Sequence, residues 1–169
     1  MTIHRSNPPE KLPPQAPALL PQPSIKEIRM NEASPSCQLI RAGSIYQGKQ
    51  DLTYLHGISK ETVGAQAICM HVLTMPPGAR AKPHLHEHHE TAIYVLSGRI
   101  DAWYGEQLEH HIAADAGDLF YIPAGVPHLP ANLTASPASA IVARTDPNEQ
   151  ESVLLLPHLD ARGVQATSA

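Results

Sequence analysis

From Cys37 onward, this chain never sustains an apolar period of 3.6 residues. It breaks instead into short β-type runs, each stopped by turn formers. The runs read CQLIRA, LTYLHGI, AQAICMHVLTM, KPHLH, TAIYVLS, RIDAWY, LEHHIA, DLFYI, VPHLPANL, ASAIVAR and ESVLLL. MPPGAR, SGR, YGEQ, ADAGD, IPAGVP, TASP and TDPNE separate them. Pro77-Gly78 suits a type II turn, in which proline presets the first central angle and glycine takes the positive one. Many short strands at this spacing predict an all-β sandwich or barrel. One helical turn is expected near Asp146, where Asp-Pro-Asn-Glu supplies a cap, a first-position proline and a capping-box glutamate.

The ends differ in texture. Eight of the 17 prolines precede Ser36, a density that removes backbone donors and forbids helix, so residues 1–35 read as a disordered tail or an extended arm. Residues 36–160 then form the barrel domain and 161–169 a tail. A formal charge of −4 leaves no basic footprint for nucleic acid. Lys11 and the prolines of residues 8–14 interrupt the apolar stretch a signal peptide needs, and no run approaches the ~20 apolar residues of a membrane span. Cys37 and Cys69 have neither zinc-site nor CxxC spacing and read as free thiols. The expected compartment is the cytoplasm.

Eleven histidines against one Phe and one Trp is the compositional oddity, and it points to metal or proton chemistry. In a strand, His84 and His86 project to one face ~7 Å apart, a spacing that lets both hold one ion. A third ligand must come from a neighbouring strand. Pro123-Ala-Gly125-Val-Pro-His128 supplies it as a tight turn followed by a histidine entering the next strand.

These segments resemble the two motifs of the cupin superfamily. Gly78, five intervening residues, His84-Leu-His86, a downstream glutamate and Gly98 are similar to the first motif. Gly117, Pro123, Gly125, His128 and Asn132 fall on the positions of the second. The resemblance covers Gly78 to Asn132, and the strand texture extends it over most of residues 37–156. It implies a single jelly-roll β-barrel of the small, single-domain bacterial type, with one divalent transition metal (Fe, Mn, Zn or Ni, Fe(II) favoured) held by His84, His86 and His128.

One position departs from the pattern. Counted back from Gly98, the family's fourth-ligand place falls on Thr91, and in a regular strand the one-residue offset turns Glu90 to the opposite face. Either a bulge re-aims Glu90, giving three histidines plus a glutamate that is also a possible catalytic base, or Glu90 points away and the site is three histidines, with His88 or His89 as substitutes. Otherwise His88 and His89 read as solvated loop residues, and His110 and His111 as surface.

Alternation puts Cys69, His71 and Leu73 on one face, so His71 either supports the site or faces solvent. Arg80 and Lys82 could greet an anionic substrate or simply solvate a strand edge. Tyr94, Trp103, Tyr104, Phe120 and Tyr121 read as packing residues, and Ala143 to Glu151 as a polar hinge.

The resemblance implies a site rather than a substrate. The favoured expectation is a metal-dependent oxidoreductase of dioxygenase type acting on a small organic molecule, since imidazole-rich sites with open positions suit iron. The alternatives are an isomerase, lyase or decarboxylase using the ion as Lewis acid, or a non-enzymatic protein that captures a ligand or metal. No helix-turn-helix accompanies the barrel. Unpaired barrel edges favour a homodimer.

Overall fold

The structure is a computed structural model that describes residues 36–41, 43–148 and 152–160. Contacts divide the chain into Met1–Cys37 and Gln38–Ala169, and the fold below is that of the second unit. The expected arm (1–35) and tail (161–169) lie outside the described residues, as do three residues of the Ala143–Glu151 hinge.

Among the described residues, eleven strands form two antiparallel sheets, as the punctuated β texture predicts. They are β1 (Ile45–Gln47), β2 (Thr53–Ile58), β3 (Cys69–Met75), β4 (His84–His86), β5 (Thr91–Ser97), β6 (Arg99–Tyr104), β7 (His110–Asp115), β8 (Leu119–Ile122), β9 (His128–Ala131), β10 (Ala138–Arg144) and β11 (Val153–Leu155). One sheet has the order β1-β2-β3-β10-β5-β8 and the other β11-β4-β9-β6-β7. Non-sequential neighbours such as β3-β10-β5 and β4-β9-β6 weave the chain between the sheets in jelly-roll fashion.

Period-two burial decides what faces inward. On β10, Ala138, Ala140, Val142 and Arg144 are buried, and on β5 so are Thr91, Ile93 and Val95. With Leu52, Leu73, Met75, Ile100 and Ile122 these aliphatics build the main core. Small alanines on β10 let the sheets approach where the composition offers few aromatic side chains.

Turn chemistry holds the strands in register. Gly98 joins β5 to β6 at φ 73°, and a Cβ there would come within 2.7 Å of the Pro137 carbonyl and 2.8 Å of Ala138 Cα. Both the left-handed angle and the close approach demand glycine. Asn132 is wholly buried after β9, where its Nδ2 donates to the carbonyls of Met75, Pro76 and Ser136 and its Oδ1 accepts from Thr134 N–H and Oγ1.

Two local expectations need correction. No helical turn occupies Asp146–Asn148. Asp146 Oδ1 accepts from the Asn148 N–H at 2.9 Å and from Asn148 Nδ2 at 2.7 Å, the bond of a cap or Asx turn, and Glu149 of the expected capping box lies outside the described residues. A short helix α1 (Lys60–Val63) stands where a strand-only reading had none. Its signal is a capping box: Thr62 N–H donates to Ser59 Oγ, Ser59 N–H donates to Thr62 Oγ1, and Gly64 closes the helix at φ 70°.

Candidate metal centre

His84 and His86 sit on β4 with Leu85 between them, so the strand period turns both imidazoles inward, and each is 2% exposed. Gly125, at φ 77°, makes the turn before β9, and its N–H donates to the His86 carbonyl at 2.7 Å. That bond fastens the second motif to the first. β9 then starts with His128, the register partner of His84 and equally buried.

The three imidazoles therefore converge. Each can offer one nitrogen such that the three donor atoms lie within 4.8 Å of one another, and they are the one such group of three or more among the described residues. Ring centroids are 4.2 Å apart for His84–His128, 5.0 Å for His86–His128 and 5.1 Å for His84–His86. His84 Nδ1–H donates to the Lys82 carbonyl at 2.7 Å and His128 Nδ1–H to the Val126 carbonyl at 2.9 Å. Each bond fixes the tautomer that leaves Nε2 as a lone-pair donor, the usual support for a ligating histidine.

The electrostatics suit a cation that wants neutral ligands. Burial, followed by the neighbouring His128, holds His84 well below the ordinary imidazole value, and burial acts the same way on His86. His128 is pushed down to about 4 by burial, with the Arg144 charge adding to it. Buried polar atoms without a hydrogen-bond partner cluster here: His86 Nδ1, His89 Nε2 and Thr91 Oγ1. Such atoms are costly unless something not yet bound satisfies them. A divalent first-row ion fits this donor set, and three protein ligands leave positions open for water or substrate.

Strand parity places Thr91 and Glu90 on opposite faces. Thr91 opens β5 facing inward at 2% exposure, so Glu90 faces out. The Glu90 N–H donates to Thr145 Oγ1, and its carboxylate accepts the Tyr121 hydroxyl at 2.8 Å. Of the two alternatives for Glu90, this geometry agrees with the outward one, and Glu90 lies outside the converging group. His88 is exposed. His89 is not the solvated loop residue expected: it is 1% exposed, its ring lies 4.4 Å from that of His86, and Nδ1 is 3.1 Å from Ser152 Oγ. Burial and Arg144 push it down to about 4.

His71 is buried on the inward face, accepts the Gly57 N–H at Nδ1, and packs edge-on to Tyr46. It does not line the histidine cavity. Arg80 pairs with Asp160 at 2.7 Å and Lys82 with Asp51 at 3.8 Å, all partly exposed. His110 is exposed, whereas His111 Nε2 contacts the buried Asp101 carboxylate at 2.9 Å. Tyr94 and Tyr121 lie exposed, whereas Trp103 and Phe120 pack against the core.

Sequence reading passed over three residues. Arg144, Gln50 and Tyr54 line a cavity of about 30 Å³ together with the three histidines and Thr91. Arg144 was assigned to a polar hinge, yet the alternation Ala138, Ala140, Val142, Arg144 places it inward. That period was the available signal. Gln50 is brought in by tertiary contact, its carbonyl accepting the Lys82 N–H.

Beside the cavity, Tyr104, Ile112, Phe120, Tyr121 and Val126 line a mainly apolar pocket of about 270 Å³, with His128 as a shared wall. The three histidines thus face a small chamber that also has many apolar walls, next to a larger pocket.

Residues 71–144 match the family described as the Cupin domain. This segment is a cupin domain. Solved structures with the same fold include Bacillus subtilis oxalate decarboxylase, in work on its Mn(II) centres, with a TM-score of 0.56, 17% identity, and 66% of this chain and 30% of that one covered. The formate complex of Lactobacillus farciminis oxalate decarboxylase matches at 0.56, with 19% identity and coverages of 67% and 33%. A conserved protein with a double-stranded β-helix domain from Klebsiella pneumoniae, uncharacterised, matches at 0.53, with 17% identity and coverages of 66% and 89%. The cupin therefore spans about a third of each decarboxylase chain. At these identities the likeness is one of fold. No curated protein sequence matches the chain. Cys37 and Cys69 form no disulfide, and among the described residues no helix is long and apolar enough to cross a membrane.

Proposed function

We propose that this cupin is a metal-dependent oxidoreductase of dioxygenase type, acting on a small organic substrate at an ion held by His84, His86 and His128. The carrying observation is the convergence of three buried imidazoles, with no carboxylate among the described residues lining the cavity. A first-row ion bound there supplies Lewis acidity and, as Fe(II), the redox partner for O₂. The chain's own residues do the rest. Lys82 and Val126 carbonyls orient two ligands, Leu52, Leu73, Ile93 and Val142 exclude water, and His128 forms a wall shared with the apolar pocket. Isomerase and lyase chemistry needs a proton acceptor over the substrate, and among the described residues no carboxylate lines the cavity.

One observation favours a second reading. A cavity of about 30 Å³ is closed to most organic molecules, which suits a non-enzymatic protein that retains a metal. Elemental analysis of protein purified without added metal, followed by oxygen uptake of the Fe(II)-loaded form with a panel of enols and catechols, separates the two. Uptake that disappears in His128→Ala supports the oxidoreductase. Bound metal without uptake leaves the retention reading.

Pairing into a homodimer belongs to the same proposal. Tyr94, Leu96, Leu119 and Tyr121 form an exposed apolar face where β5 meets the edge strand β8, and sedimentation of wild type against Leu119→Lys tests it.

A further inference from the structure

Two cavities of very different size share one partition. Phe120, Ile122 and His128 line both the histidine chamber of about 30 Å³ and the pocket of about 270 Å³ beside it. Strand alternation builds the larger space. Ile100 and Ala114 are register partners in the main core, so Tyr104 and Ile112, an even number of residues away on the same two strands, face the same interior. Phe120 and Ile122 on β8 approach from the other sheet. β7 and β8 each end their sheet, so the pocket lies where neither sheet continues among the described residues.

The two volumes divide a ligand into head and body. The chamber has room for about two water-sized atoms, enough for oxygens that bind an ion but not for a carbon skeleton. The pocket exceeds the ~150 Å³ that accommodates a benzene and falls short of the ~300 Å³ where pockets for larger organic ligands begin. It fits one ring. Its walls also select against charge. Among the described residues no Asp, Glu, Lys or Arg lines it, so a phosphate or carboxylate on the body would lose water without gaining a counterion. Tyr104 and Phe120 instead present aromatic surface, which suits a planar ring.

We infer that the substrate is a phenol or enol with a single uncharged, ring-sized body. The ring occupies the pocket of Tyr104, Ile112 and Phe120, and its oxygen passes His128 to reach the ion. The inference rests on the metal centre proposed above and names the substrate class of that site. Ile112 is then a specificity-determining residue, because it lines the pocket but not the chamber and its bulk limits the ring that fits.

Loading the full chain with Co(II) and following its visible absorption gives a readout independent of turnover. p-Cresol should perturb the spectrum of the 1:1 complex. p-Hydroxybenzoate, with a carboxylate in place of the methyl, should bind at least tenfold more weakly. Ile112→Trp fills the pocket and should weaken p-cresol by about 10- to 100-fold, the value of burying an aromatic ring, with Co(II) still bound 1:1. Ile112→Ala, a truncation at a partly buried position on an edge strand, is the variant more apt to fold. It should shift preference from p-cresol towards β-naphthol. Equal p-cresol affinity in wild type and Ile112→Trp, an unchanged preference in Ile112→Ala, or p-hydroxybenzoate bound as tightly as p-cresol overturns the inference. Co(II) bound without any p-cresol response also sinks it while the metal centre stands. Failure of wild type to bind Co(II) removes both.

Discussion

Thr91 and Arg144 are register partners on β5 and β10, and both side chains are buried inside the barrel. The pair puts a hydroxyl and a cation where the family pattern leads one to expect a carboxylate. Thr91→Glu restores the carboxylate beside the three histidines and opposite Arg144. It should tighten Co(II) binding by about tenfold, roughly 1.4 kcal/mol, as read by competition with a chromophoric chelator. Unchanged affinity would mean that position 91 does not reach the ion.

The three histidines should not be equivalent to His89. His84→Ala and His128→Ala each remove a member of the converging group and should lower metal affinity by at least ~100-fold, since even supporting partners are worth 10- to 100-fold. His89→Ala should keep 1:1 metal with a smaller loss, because its ring lies beside His86 outside that group. Elemental analysis after dialysis checks all three.

Glu90→Gln tests the outward orientation. The carboxylate accepts the exposed Tyr121 hydroxyl, so the substitution should change stability by less than ~0.5 kcal/mol and leave metal stoichiometry intact. A lost metal in this variant would restore Glu90 as a ligand.

The buried histidines set a pH signature. His84, His86 and His128 are all lowered by burial, His128 to about 4, so each binds a proton more tightly unfolded than folded. Stability of the metal-free protein should therefore be full above the unfolded value of ~6.5 and decline as pH falls towards 4, by about 1 kcal/mol per histidine per pH unit. Thermal melts at pH 7.5 and 5.5 measure this. In the folded protein the ligands stay deprotonated across the same window, so metal affinity should change little between those two pH values.

Asn132 should matter for the barrel rather than the ion. Its side chain makes five hydrogen bonds from a fully buried position. Asn132→Ala leaves several buried groups unsatisfied and should cost about 2–4 kcal/mol in urea unfolding, with metal stoichiometry retained by the protein that remains folded.

Much of this molecule is legible from local pattern. The short runs and their turn formers specify a two-sheet β fold because strand period and turn chemistry act within a few residues. His84 and His86 follow from that same period. His128 follows from the Gly125 turn that delivers it. The Ser59–Thr62 capping box was equally local and went unread, as did the alternation that turns Arg144 inward.

Other features required the fold itself. His89 looks like a solvated loop residue until Ser152 and the neighbouring His86 ring enclose it, contacts that cross more than sixty residues in the first case. Gln50 enters the cavity through its carbonyl bond to Lys82, which no spacing announces. Sequence by itself determined the barrel, the three histidines and the absence of a carboxylate at position 91. Only tertiary structure decided that Glu90 turns out to Tyr121 and that Arg144 lines the cavity of the three histidines. The side of a strand depends on where its pairing starts, and the charge around a site depends on which distant strands are packed beside it.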